Sequence, residues 1–202
     1  MEVKIPALDT AAEAAKEFLQ KVITPPLEEV GGLLADQVKL WRFKNQITIL
    51  QKAEDHLKSK GLNTRKVSLK TLTPLLEFSS VEEEPSLQQK WAALIANTVK
   101  EHSRLDTTLY SHLLSQLNKR DAEVFETIFE LSIQRSKDRQ TTIHIPGDKI
   151  FDYSLLHMQY NDIGVIIDNL IRLRLVSDHF TRGNVVLSDL GFSFMNACTF
   201  AG

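Results

Sequence analysis

Residues 33–58 carry apolar side chains at helical spacing along two separate lines. One line runs Leu34, Val38, Trp41, Asn45, Ile49, Ala53, Leu57; the other runs Leu40, Phe43, Ile47, Leu50. Steps of three and four predict a helix. A surface helix needs only one apolar face, so two lines predict burial on two sides and make this stretch the expected spine of a helical domain. Gly31-Gly32 and Pro25-Pro26 disfavour continuing an upstream helix and mark its start. Gly61, after Lys58 and Lys60, provides a left-handed stop with cations at the negative end of the helix dipole.

On either side the same pattern predicts further helices. Asp9 or Thr10 caps a first helix to about residue 23, with Ala11, Ala15, Phe18, Leu19 and Val22 on one side. Residues 68–79 form a shorter helical region that Pro74 is expected to interrupt, with Thr73 capping a new start. Residues 79–86 (SSVEEEPS) are an acidic linker, and the run Glu82-Glu83-Glu84 precedes Pro85 where negative charge favours a helix start. These carboxylates are therefore read as structural. A helix over residues 85–101 places Leu87, Trp91, Leu94, Ile95 and Val99 on one face, and residues 107–117 add Leu109, Leu113, Leu114 and Leu117.

From Asn118 the texture changes. Asn118 caps a helix to about residue 134, with Ala122, Phe125, Ile128 and Phe129 inward. β-Branched residues 141–145 predict a short strand, residues 147–156 a short helix, and Asn161 opens a third helix. Residues 176–180 and 184–187 then read as a hairpin around Thr181-Arg182-Gly183, and Ser188 caps a last helix. Helix, strand, helix, helix, hairpin, helix is the order of a winged helix. The expected fold is mainly α. A helical domain over residues 1–117, with a long central helix, precedes a small α/β winged-helix-like domain over residues 118–202.

The balance of charge decides how such a module would be used. A DNA reader needs basic residues clustered on its reading face. From residue 118 onward nine Lys and Arg stand against eleven Asp and Glu, and the candidate reading helix carries Asp162 and Asp168. Only Arg182, at the wing tip, is well placed for DNA, so protein contact is the favoured use. For the whole chain the net charge is −2, which gives no overall attraction to nucleic acid or anionic membrane. The first helix has the alanines for a membrane-surface role, but Glu13, Lys16, Glu17 and Lys21 give it a mixed polar face rather than a basic one. Cys198 is the only cysteine, so an internal disulfide is excluded and a reducing, cytoplasmic setting fits. No signal peptide or long apolar run is visible in the sequence.

Catalytic spacing is absent from the sequence. The six histidines are scattered without HExxH or paired-ligand spacing, and there is no phosphate-binding glycine loop and no nucleophile elbow. His102 and Asp106, four apart, read as a surface pair. Cys198 reads as a small buried apolar residue. No enzyme, cofactor or metal is expected. The candidate interaction residues are Trp41, Arg42, Asn45 and Arg182. Asn45 breaks an apolar line and Arg42 lies beside Trp41; they read either as a hydrogen-bonded core amide and a solvated or ion-paired guanidinium, or as a polar register or ligand-binding position.

Three stretches together resemble the bacterial abortive-infection alpha family. They are PLEEVGGLLADQVKLWRFKNQ (26–46), LTPLLEFSSVEEEPSLQQKWAALIAN (72–97) and LLSQLNKRDAEVFE (113–126). The carrying residues include Gly31, Gly32, Asp36, Trp41, Arg42, Asn45, Pro74, Leu75, Leu76, Glu77, Ser79, Glu82, Trp91, Ala92, Leu94 and Asn97, and LSDLGFSFMNAC (187–198) resembles that family's end. The resemblance implies phage defence by abortive infection, in which an infected bacterium stops growing or dies before phage mature. It brings no catalytic residues, cofactor or substrate. The resulting expectation is a cytoplasmic, non-enzymatic homo-oligomer working through an unidentified protein partner. A DNA-binding regulator and a membrane-perturbing effector are the alternatives.

Overall fold

A computed structural model of the chain describes residues 6–22, 37–103, 105, 107–137, 143–144, 160–178 and 184–200. Eight helices lie among them: α1 (Pro6–Val22), α2 (Gln37–Ser59), α3 (Leu69–Ser79), α4 (Pro85–Val99), α5 (Thr107–Leu114), α6 (Lys119–Lys137), α7 (Tyr160–Arg172) and α8 (Asp189–Ala197). Three short strands, β1 (Ile143–His144), β2 (Val176–Asp178) and β3 (Asn184–Leu187), form an antiparallel sheet in the order β1-β3-β2. The architecture is mainly helical with this one small sheet. The chain forms two compact units, residues 1–116 with 197–202, and residues 117–196.

In the first unit α2 packs on α1, α3 and α4, and α4 also packs on α3 and α5. Both apolar lines of α2 are used, since Ile47, Ile49, Leu50, Ala53 and Leu57 are all buried. The spine, however, is α4. Every residue from 91 to 99 is buried, so α4 beyond its first turns has no solvent face where one apolar face was expected. Ala92, Ala93 and Ala96 are what permit this, because small side chains allow neighbours to close in on every side. α2 stops as its sequence predicts: Gly61, at φ +60°, donates to Lys58 O at 3.1 Å, and Leu62 N to Leu57 O at 2.9 Å. The buried Glu54 of α2 pairs with Lys21 of α1 at 3.7 Å, which ties the two helices, and with Lys58 of its own helix at 3.0 Å.

Three expectations need correction here. Pro74 does not interrupt α3, which runs unbroken from Leu69 with Ser68, not Thr73, as its cap. Proline removes one hydrogen bond from the helix ladder, whereas the same turns bury Leu72 and Leu75 completely, and that burial outweighs the lost bond. Leu109 is 47% exposed rather than inward. α1 begins at Pro6, ahead of the expected cap at Asp9 or Thr10, because proline is well suited to the first helical position.

The second unit opens on a reciprocal cap. Asn118 Oδ1 accepts from Asp121 N at 3.0 Å, and Asp121 Oδ2 accepts from Asn118 N at 3.1 Å. The buried Asp121 also accepts from Asn169 Nδ2 at 3.1 Å, which fastens the start of α6 to α7. α6 continues to Lys137, three residues beyond its expected end. Phe125 and Phe129 of α6 meet Phe194 and Phe192 of α8 at ring separations of 6.1 and 5.7 Å. Ser188 caps α8 as expected, accepting from Gly191 N at 2.8 Å. α7 ends in the same stop as α2, with Arg174 N to Ile171 O and Leu175 N to Leu170 O at 2.8 and 2.9 Å. Here Arg174, not glycine, holds the left-handed position at φ 60°. That conformation costs a non-glycine residue on the order of 1 kcal/mol, and the fully buried Leu170 and Leu175 hold the turn closed. The expected helix over 147–156, Gly31-Gly32, Pro25-Pro26 and the turn 181–183 lie outside the described residues.

Candidate functional site

The candidate residues of the central stretch sit on one edge of α2. Arg42, Asn45 and Gln46 are spaced three and four apart, so they share a helical face, and all three are half-buried. That face meets the end of α3, where the helix ladder runs out of main-chain donors for the last carbonyls. Gln46 Nε2 donates to Leu76 O at 2.8 Å, Asn45 Nδ2 to Ser80 O at 3.1 Å, and Arg42 Nη2 to Glu77 O at 3.4 Å. Arg42 Nε donates to Ser80 Oγ at 2.9 Å. The Ser80 hydroxyl in turn donates to Glu77 O at 2.6 Å, and Ser79 Oγ to Leu76 O at 3.3 Å. Three side chains of one helix thus cap the C-terminus of another. The guanidinium stands at the negative end of the α3 dipole, where a cation is favoured.

The turn leading into α4 extends this polar cluster. Glu82 Oε1 accepts from Glu84 N at 2.9 Å, and Gln88 Nε2 donates to Glu82 O at 2.9 Å. Lys52 of α2 donates to Gln88 Oε1 at 3.1 Å. Burial pushes the Glu82 carboxyl above the usual carboxylate range; hydrogen bonds from the Glu84 and Glu83 backbone pull it back, the negative charge of Glu84 adds to the rise, and the Trp91 side chain donates to lower it. The acidic run is therefore engaged in local bonding at the start of α4.

Chemically the cluster is a fastening. Ser80 Oγ gives its proton to a carbonyl and receives the Arg42 guanidinium, so it is held as a cap and not poised as a nucleophile. Cys198 is buried, and burial pushes its thiol well above the ordinary range, the opposite of an activated cysteine. Among the described residues no group of three or more His, Cys, Asp or Glu is placed to hold a metal ion. Trp41 lies within α2, beside Arg42 in sequence. Arg182 lies outside the described residues. Sequence reasoning missed Gln46, Ser80, Gln88 and Lys52. Only the i, i+3, i+4 spacing of Arg42, Asn45 and Gln46 could have signalled the shared polar face.

Removing the Asn45 amide leaves the Ser80 carbonyl half-buried without this donor, at a cost of about 1–3 kcal/mol. Asn45→Ala is expected to lower the unfolding midpoint of the protein in urea by that order, with amide exchange accelerated at the end of α3. Unchanged exchange at residues 76–80 would contradict the capping role.

A family model described as Abortive infection alpha matches residues 35–198. No curated protein and no solved structure matches the chain.

Proposed function

The chain belongs to the Abortive infection alpha family, and from that premise we propose that it acts in phage defence through protein contacts, as a homo-oligomer, with the outer face of α7 as the contact surface. One observation carries this reading: Val165 is 71% exposed in the middle of a helix whose other side buries Ile163, Ile166 and Leu170. The exposed described side chains of α7 are Val165, Asp168 and Arg172 around Gly164.

The second unit is read as a winged helix, supported by the succession of α6, β1, α7, the β2–β3 hairpin and α8. In that fold α7 is the helix that would enter DNA. Its outer face offers little to phosphates, since Arg172 donates to Asn169 Oδ1 at 2.9 Å and Asp168 repels a polyanion. The membrane reading loses ground for a similar reason. Ala15 and Phe18 of α1 are buried, and α1 packs on α2. No described helix is long and apolar enough to cross a membrane. A cytoplasmic, non-enzymatic role without a cofactor completes the proposal. The capping cluster of Arg42 and Asn45 is assigned to holding α2 and α3 in register.

The test pairs infection with assembly. A bacterial culture expressing the protein is expected to survive phage at low multiplicity and to arrest or collapse at high multiplicity. Val165→Asp is expected to keep its helical circular dichroism, to lose oligomers in light scattering, and to lose protection. A monodisperse monomer at high concentration for the unsubstituted protein would remove the oligomer. Salt-sensitive binding to duplex DNA, abolished in Arg182→Glu, would favour the regulator instead.

A further inference from the structure

Residues 197–200, the last residue of α8 and the three after it, belong to the first unit, so the chain leaves that unit after Gln116 and rejoins it at Ala197. Two groups hold the returning segment. Asn97 of α4, buried, donates from Nδ2 to Ala197 O at 3.0 Å and to Thr199 O at 2.9 Å. Its Oδ1 accepts from Lys100 Nζ at 3.2 Å, which fixes the amide orientation. Cys198 is buried between the two gripped carbonyls. Beyond it, the Phe200 ring stacks on His56 of α2, with centroids 4.0 Å apart and planes 25° from parallel. One hold is a main-chain grip that does not titrate; the other rests on an imidazole.

We propose that residues 197–200 form a clasp on the first unit, closed while His56 is neutral and opened when His56 takes a proton. The electrostatic setting of the ring disfavours a second charge state. Burial is the largest influence lowering the proton affinity of His56, followed by Lys60, one turn further along, and Lys100 at the end of α4. Of the acids of the same region, Glu54 is engaged by Lys21 of α1 and by Lys58, and Glu101 by Asn63 Nδ2 at 3.1 Å, while Asp55, next to His56 in sequence, is exposed to solvent and forms no ion pair with it. The face of Phe200 attracts an imidazolium. Two lysines and the lost water act against it, and among the described residues His56 makes no ion pair. The sign follows from linkage. Since the closed form lowers the affinity for a proton, closure is fully favoured above the ordinary histidine value of 6.5 and weakens as pH falls through the lowered value.

Cys198 is the single cysteine of the chain and is buried in the docked segment, so on this proposal its reactivity reports opening of the clasp. The full chain would be treated with dithiodipyridine, a thiol reagent that stays reactive in acid, at about pH 7.5 and about pH 5.5, on either side of the histidine range. Labelling of the unsubstituted protein is expected to accelerate several-fold at the lower pH. His56→Gln, which cannot take the proton, is expected to show little acceleration. Phe200→Ala is expected to label rapidly at both values with its helical content intact. Equal acid acceleration in the unsubstituted protein and in His56→Gln, by local or global opening, would overturn the clasp, as would a rate independent of pH. Neither result bears on the α7 contact surface, which is read out by assembly and infection.

Discussion

Gly191→Ala is expected to destabilise the second unit by about 3 kcal/mol or more, combining an overpacking penalty with the weakening of two hydrogen bonds. A Cβ built on Gly191 overlaps the Leu175 carbonyl oxygen and lies 2.9 Å from its carbon, both of them backbone atoms that no rotamer change can clear. That carbonyl accepts from Ser188 N at 3.2 Å and from Ser188 Oγ at 3.0 Å, so moving it disturbs the residue that caps α8. Alanine's advantage in a helix, about 0.5–1 kcal/mol, is too small to offset this. Gly164 provides the internal control. It also lies in a helix, nothing stands within 4 Å of its added Cβ, and Gly164→Ala is expected to stabilise. Urea unfolding followed by circular dichroism separates the two. If both substitutions moved the midpoint in the same direction, the close approach of α8 to Leu175 would be wrong.

Trp91→Ala carries the other large effect. Trp91 is 1% exposed at the start of the all-buried run 91–99 of α4, and truncating such a side chain costs about 3–5 kcal/mol. Its indole also donates to Glu82 in the turn before α4. Trp91→Phe keeps most of the apolar volume and removes that bond, so its loss is expected near 1 kcal/mol plus whatever cavity remains. Guanidinium unfolding of both variants checks the ratio. Equal losses would mean that the hydrogen bond, and not the burial, dominates at this position.

The two α-helical stops and the caps show what was legible and why. Gly61, Asn118 and Ser188 were each assigned a terminus from sequence, and each makes its bond within five residues of the chain. The stop at Arg174 was not legible. Arginine carries no preference for a left-handed backbone, and it is held there by buried Leu170 and Leu175. Pro74 misled in the opposite sense, because a rule about local hydrogen bonding was outweighed by burial of Leu72 and Leu75. For Arg42 and Asn45 the sequence marked polar residues in an apolar setting. Their partners Glu77 and Ser80 lie 35 and 38 residues away, beyond any local pattern.

The sequence by itself determined the helices as helices, the caps at Asn118 and Ser188, the stop at Gly61, the β2–β3 pair and the family, because each depends on spacing and chemistry written along the chain. Only the tertiary structure decided that α4 and not α2 is the buried axis. It also decided that Arg42, Asn45 and Gln46 close the end of α3, and that residues 197–200 return to Asn97 and His56. Periodicity counts apolar faces on one helix, whereas burial on every side requires neighbours that the helix itself does not encode. The alanines of α4 became informative only once those neighbours were in place.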